Sequence, residues 1–220
     1  MAKYMIHSCV SRLWYVNKYL MPSMLEQGIN KSDITLYIDT QEEGCLKATL
    51  KAFTDLIDRE EGTWHLQDDV VICSDFKERT EKFTEYEIVC GFCSEYDAST
   101  QIGKLNVGLL WYSFPCIYIS NKLASEFVDW VRTYAVTSEL YKLFIRSNKY
   151  DDTLFNEFIK CEHKDLIGYN VAPNLVNHID YLIGGSVVNK QRPEDRIVSL
   201  YWKEPELIQE LSKKLDIDKH

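Results

Sequence analysis

The chain has no excess of positive charge: 25 Lys and Arg stand against 34 Asp and Glu, a formal net charge of -9. Its pI lies near 5.1. This balance excludes a grip on nucleic acid by broad electrostatics and leaves only a local basic face. Long apolar runs are missing too. No stretch reaches the roughly 18 residues of a membrane span, and residues 1–10 lack the apolar core of a signal peptide. No repeat, low-complexity tract or Gly/Ser/Pro-rich linker divides the 220 residues, which read as one compact unit. The Gly-x-Gly-x-x-Gly turn and the Gly- and Lys-containing phosphate loop are both absent, which disfavours dinucleotide oxidoreductases and P-loop NTPases. The seven cysteines are odd in number and scattered. They read as reduced thiols of a cytosolic protein, several buried as small hydrophobes.

What is present is an ordinary globular composition, 45% hydrophobic and 27% charged. Residues 4–8 form a short apolar run, and residues 14–27 show helical periodicity that stops at Gly28. Pro22 predicts a kink or break near Met21. Strand signals at 34–38 and 63–66 bracket a helix at 44–58. Three strand–helix cycles with polar residues at each strand end describe a parallel α/β sheet, flanked by helices. Ligands of such sheets sit beyond the carboxyl ends of the strands. That rule gathers residues 8–12, Asp39 and residues 67–69 around one crevice. The second half is less regular, with strands at 86–90, 117–120 and 174–178. Helices are expected at 123–134, 153–161 and 204–215, with a fraying tail at 216–220.

The most informative segment is Gln67-Asp68-Asp69 between apolar flanks. Adjacent carboxylates there are costly to desolvate unless a cation or hydrogen-bond donors compensate them. Hard oxygens at a strand end suit magnesium or manganese, which can bridge a diphosphate. An acidic loop, or one Asp capping a helix, is the plainer alternative. A second pair, Asp151-Asp152, precedes an amphipathic helix. It fits either an N-cap with favourable dipole charge or a catalytic acid.

Leu66-Gln67-Asp68-Asp69-Val70 resembles the metal-binding acidic motif of GT-A-fold glycosyltransferases, often written Asp-x-Asp. The resemblance spans about residues 4–202. It implies one α/β GT-A-like domain over 1–220, a Rossmann-type parallel or mixed sheet flanked by helices, with a nucleotide-binding half to about residue 100 and a less regular acceptor and metal half beyond. Asp69 matches the last Asp, a metal ligand; Asp68 is the middle position, and Gln67 departs from the first Asp. Ser8 and Arg12 are similar to the nucleotide-contacting first loop, and Asp39 to the acid that binds base or ribose. His178 resembles the late histidine of the metal shell, followed by Gly184-Gly185-Ser186.

By the same resemblance, Asp152 or Asp151 deprotonates an acceptor hydroxyl. The implied chemistry is transfer of a sugar, a hexose in first place, from a UDP-sugar with manganese or magnesium. The chain also looks like small glycosyltransferases of tailed phages, acting in the host cytoplasm. Some of those modify hydroxymethylated pyrimidines in viral DNA.

Several other signals compete. Cys90-Gly91-Phe92-Cys93 has redox spacing but weak helix support, and no partner motif makes it a zinc site. Trp111 and Tyr112 lie in an aromatic run that suits core packing or a sugar-stacking wall. Lys190, Arg192 and Arg196 form the local basic stretch, able to meet acceptor or donor phosphates or simply to be solvated. Two other function classes stay open: a nucleotidyltransferase on a similar scaffold, and a non-catalytic sugar-nucleotide-binding protein.

Overall fold

The computed structural model describes residues 2–41, 43–56, 61–93, 102–106, 114–147, 151–185 and 201–218. Strand β1 (Lys3–Cys9) opens the chain. A 3-10 turn over Val10–Arg12 leads into α1 (Leu13–Tyr15), a π-helical stretch over Val16–Leu20, and α2 (Met21–Glu26). The break expected near Met21 does not occur. Pro22 can donate no hydrogen bond to the preceding turn, and the wider π turn, closed by Met21 N–H on the Val16 carbonyl, accommodates it. The helix ends where predicted, at Gly28, whose φ of +78° suits a residue without Cβ.

β2 (Ile34–Asp39), α3 (Cys45–Thr54) and β3 (Thr63–Gln67) follow. Here the strand–helix alternation stops. Asp68 and Asp69 turn the chain directly into a short strand, β4 (Val70–Ile72), before α4 (Phe76–Thr80). Then come β5 (Ile88–Cys90), β6 (Gly103–Asn106) and β7 (Cys116–Ile119). α5 (Asn121–Trp130) is capped by Ser120 and continues as a π turn to Ala135. α6 (Lys142–Ser147), α7 (Asp151–Glu162), β8 (Ile167–Asn170), β9 (Val176–His178) and α8 (Pro205–Asp218) complete the order. α8 thus runs past residue 216, where fraying is expected from the sequence.

The seven-stranded sheet has the order β2-β1-β3-β7-β5-β8-β6. Its β2, β1 and β3 are parallel, whereas β7 runs antiparallel to both β3 and β5. β8 is parallel to β5, and β6 is antiparallel to β8. The architecture is therefore α/β, a mixed sheet flanked by helices, and the three strands expected to be parallel, β1, β2 and β3, are so. β9 does not join this sheet; it pairs with β4, Val70 opposite His178.

Period-two alternation divides the core into two layers. Tyr4, Ile6, Trp64, Leu66, Val89, Cys116 and Tyr118 face the layer that includes Val16, Leu20, Met24 and Leu211. Met5, Ile88, Cys90, Ile117 and Ile119 face the opposite layer with Phe53, Phe127 and Phe155. Helices α3, α5 and α7 thus cover one face. Among the described residues, no helix is long and apolar enough to cross a membrane.

Candidate functional site

Register brings the acidic segments together. Cys9 of β1 lies opposite Asp39 of β2, and His7 lies opposite Gln67 of β3. The carboxyl ends of the parallel strands therefore meet at residues 8–12, Asp39 and residues 67–69, as the sequence suggests. Ser8 Oγ donates to Asp68 Oδ2 at 2.8 Å, and the Cys9 N–H donates to the same oxygen at 3.1 Å. Asp39 is buried at this edge, where its Oδ1 accepts from the N–H groups of Gln41 and Glu43. Gln67, half-buried, anchors the strand end through its N–H on the Pro115 carbonyl.

Asp69 is placed by the small second sheet. Its carbonyl accepts from Ile179 N–H at 2.8 Å, locking the turn after β3 to the end of β9. Asp69 Oδ2 then stands 3.3 Å from His178 Nε2, and Asp180 Oδ1 stands 3.3 Å from His178 Nδ1. The Asp180 approach is a close ionic contact rather than an aligned hydrogen bond, since Nδ1 has no hydrogen-bond partner. The other carboxylate oxygen of Asp69, Oδ1, is buried without a partner.

Arg12, only 3% exposed, donates through Nη2 to the Gly185 carbonyl, while its Nη1 is buried and unpartnered. Gly185 has a φ of +82°, a conformation that turns the chain back toward Arg12 after His178.

These contacts set the charges. Burial, reinforced by Asp69, pushes the Asp68 carboxyl up to about 7 against the opposing bonds from Ser8 and Cys9. Burial also opposes ionisation of Asp69, but His178 and Arg12 outweigh it and hold its carboxyl below the usual range. For His178, burial disfavours the cation, yet Asp69 and Asp180 together push it up to about 10. Asp69, His178, Asp180 and Arg12 therefore compensate one another at the strand ends, whereas Asp68 is driven toward its neutral form.

The second acidic pair opens α7. Asp151 is buried and accepts from Thr49 Oγ1 of α3 at 2.6 Å. Burial, then Asp152, pushes its carboxyl up to about 7. Asp152 is half-buried and its Oδ1 accepts the Thr153 N–H at 2.6 Å. The Cys45 thiol, at the start of α3, is raised by burial and by the fields of Asp151, Asp152 and Asp69. Charges from both acidic pairs are thus felt at one thiol at the mouth of α3. Cys45, Thr49, Asp180 and His7 were not singled out from the sequence. Only Asp180 carried a signal, its His-x-Asp spacing from His178.

Trp111, Tyr112, Lys190, Arg192 and Arg196 lie outside the described residues, as does Ser186. All seven cysteines are thiols without a disulfide. Cys90 Sγ donates to the Phe92 carbonyl and Cys93 Sγ to Asn170 Oδ1, so the two sulfurs bond to different groups. Among the described residues, one group of at least three acidic, thiol or imidazole side chains brings its ligand atoms within 4.8 Å: Cys73, Asp75 and Glu204. Arg79 lies 3.6 Å from both Cys73 Sγ and Asp75 Oδ1, and Glu204 takes the Ser74 N–H. That cluster is therefore internally compensated. Asp69 and His178 offer two donors, with Asp68 held by Ser8 and Cys9.

No family model matches the chain, and no curated protein matches it. A solved structure described as "Crystal Structure of A197 from STIV" is similar at 14% identity, with a TM-score of 0.47, over 92% of this chain and 96% of that one. The likeness is distant.

Proposed function

We propose that the chain is a cation-dependent glycosyltransferase of the GT-A type. It would move a sugar from a UDP-sugar to an acceptor hydroxyl in the crevice beyond β1, β2 and β3. The observation that carries this reading is the contact of Asp69 with His178, beside a buried Arg12 that keeps one donor unpartnered. Asp69 Oδ1, a hard carboxylate oxygen without a partner, and the His178 imidazole once it has given up the proton that Asp69 and Asp180 favour, are a fitting donor set for manganese or magnesium. Asp69 and His178 would hold the ion, which when bound supplies Lewis-acid stabilisation of the leaving diphosphate.

The remaining roles belong to the chain. Arg12 Nη1 offers a charged hydrogen bond to a diphosphate oxygen. Ser8 and the Cys9 N–H restrain Asp68 so that it shapes the pocket floor. Asp152, the more exposed member of its pair, takes the proton of the acceptor hydroxyl. As the acceptor oxygen bonds to the sugar's anomeric carbon, the bond from that carbon to the diphosphate breaks. The nucleoside diphosphate leaves. Buried Asp151, bonded to Thr49, fixes the start of α7 beneath Asp152.

Thermal-shift measurements with UDP-sugars, with and without manganese, combined with an assay for released UDP, test this reading. Stabilisation that manganese strengthens, together with UDP release, is the expected result. Stabilisation without release over a panel of acceptors points to a non-catalytic sugar-nucleotide-binding protein. No stabilisation by any UDP-sugar rejects both.

A further inference from the structure

His7 stands two residues before the end of β1, and the reaction described above leaves it unused. Alternation along the strand turns it to the same face as Met5, toward the layer of Phe53, Phe127 and Phe155. Register sets it opposite Tyr37 of β2 and Gln67 of β3, next to the Ser8 that binds Asp68. Its ring makes a T-shaped contact with Tyr37, 5.4 Å between centroids, and is tilted over His65 at 5.5 Å. His65 in turn meets Phe53 and Phe114 edge to face. This aromatic column runs from the core to the strand ends. His65 is fully buried within it, whereas His7, at its outer end, is half-buried.

The column holds the His7 ring by packing alone. No hydrogen bond ties that ring to any other described residue. The carboxylates acting on it are Asp39 and then Asp69, yet burial outweighs both and lowers the imidazole to about 4. It is neutral at pH 7, one nitrogen a donor and the other an acceptor. A neutral ring is a poor match for a diphosphate, which calls for cations. It matches a hydroxyl, which also donates and accepts. On the UDP-sugar reading, the span from Asp39 to Asp69 runs from the nucleoside to the diphosphate, and the ribose lies between them.

We infer that His7 is a specificity-determining residue that hydrogen-bonds a ribose hydroxyl of the nucleotide, an inference that rests on the UDP-sugar reading of the crevice. Calorimetric titration of UDP, 2′-deoxy-UDP and 3′-deoxy-UDP, with manganese present, into the full chain and its His7→Phe variant tests it. Phenylalanine keeps a ring against Tyr37 and His65 and removes both nitrogens. The parent should bind one deoxy analogue about five- to tenfold more weakly than UDP, the worth of one neutral hydrogen bond. His7→Phe should lose that preference by weakening UDP alone, with affinity for the disfavoured analogue unchanged. Weakening of all three ligands alike assigns His7 a merely structural role and overturns the inference. Equal affinity of the parent for all three overturns it without recourse to any variant. Absence of UDP binding by the parent rejects the reading of the crevice and this inference with it, whereas UDP binding without the hydroxyl preference rejects this inference alone.

Discussion

Thr49 of α3 donates a 2.6 Å hydrogen bond to the buried carboxylate of Asp151 at the start of α7. This bond ties the helix after β2 to the helix that carries the second acidic pair, 102 positions later. Thr49→Val keeps the shape but removes the donor, leaving a buried carboxyl unsatisfied. Denaturant unfolding should register a loss of about 1–3 kcal/mol. Asp151→Asn should behave differently, because the folded state raises this carboxyl from 3.8 to about 7. Ionisation therefore costs stability, with no cost below the unfolded value and the full cost above about 7. The variant should gain on the parent as pH rises from 5 to 8. An equal difference at both pH values would rule out this account of Asp151.

His65 sits at the centre of β3, fully buried, with both ring nitrogens unpartnered among Phe53, Phe114 and His7. Burial, then His7, depresses it well below the ordinary 6.5. A histidine lowered on folding contributes stability that is present above its unfolded value and is lost as pH falls. Between pH 6.5 and 5.5 this one site should cost about 1 kcal/mol. His65→Leu should remove that part of the acid sensitivity and match or exceed the parent's stability at pH 7.5. His7, lowered to about 4 by burial, leaves a residual slope. Unfolding titrations at the two pH values decide it; an unchanged slope in the variant would contradict the assignment.

Asp180 holds the far side of the His178 ring, 3.3 Å from Nδ1. A carboxylate behind a metal-binding histidine orients the ring and raises its basicity. Asp180→Asn should therefore weaken manganese affinity about 10–100-fold, read by titration of the ion alone. Affinity equal to the parent's would show that Asp180 serves only the turn, where its Oδ1 accepts the Tyr181 N–H.

Local sequence carried the elements whose cause is local. The apolar run of β1, the Gly28 stop and the acid-rich start of α7 are each set by neighbours within a turn or two. The placement of Asp39, Asp68 and Asp69 was legible because parallel strands align their carboxyl ends. The antiparallel insertion of β7 between β3 and β5 was not, since strand order depends on pairings between residues far apart in the chain, such as Leu66 with Cys116 and Cys90 with Ile117. The β4–β9 pair was hidden for the same reason, and its three-residue strands carry little periodicity. The helix through Pro22 shows a local rule overridden by a local device, the π turn before it. The Thr49–Asp151 bond had no signal at all, because a buried threonine in a helix looks like any other.

The central claim is that Asp69 holds a divalent ion against a nucleoside diphosphate. Calorimetric titration of UDP, with and without manganese, into the parent and Asp69→Asn tests it most directly. The parent should bind UDP at least about tenfold more tightly with manganese. Asp69→Asn should lose that dependence while unfolding as one cooperative unit. UDP affinity indifferent to manganese in the parent, or a manganese effect preserved in Asp69→Asn, would contradict the account.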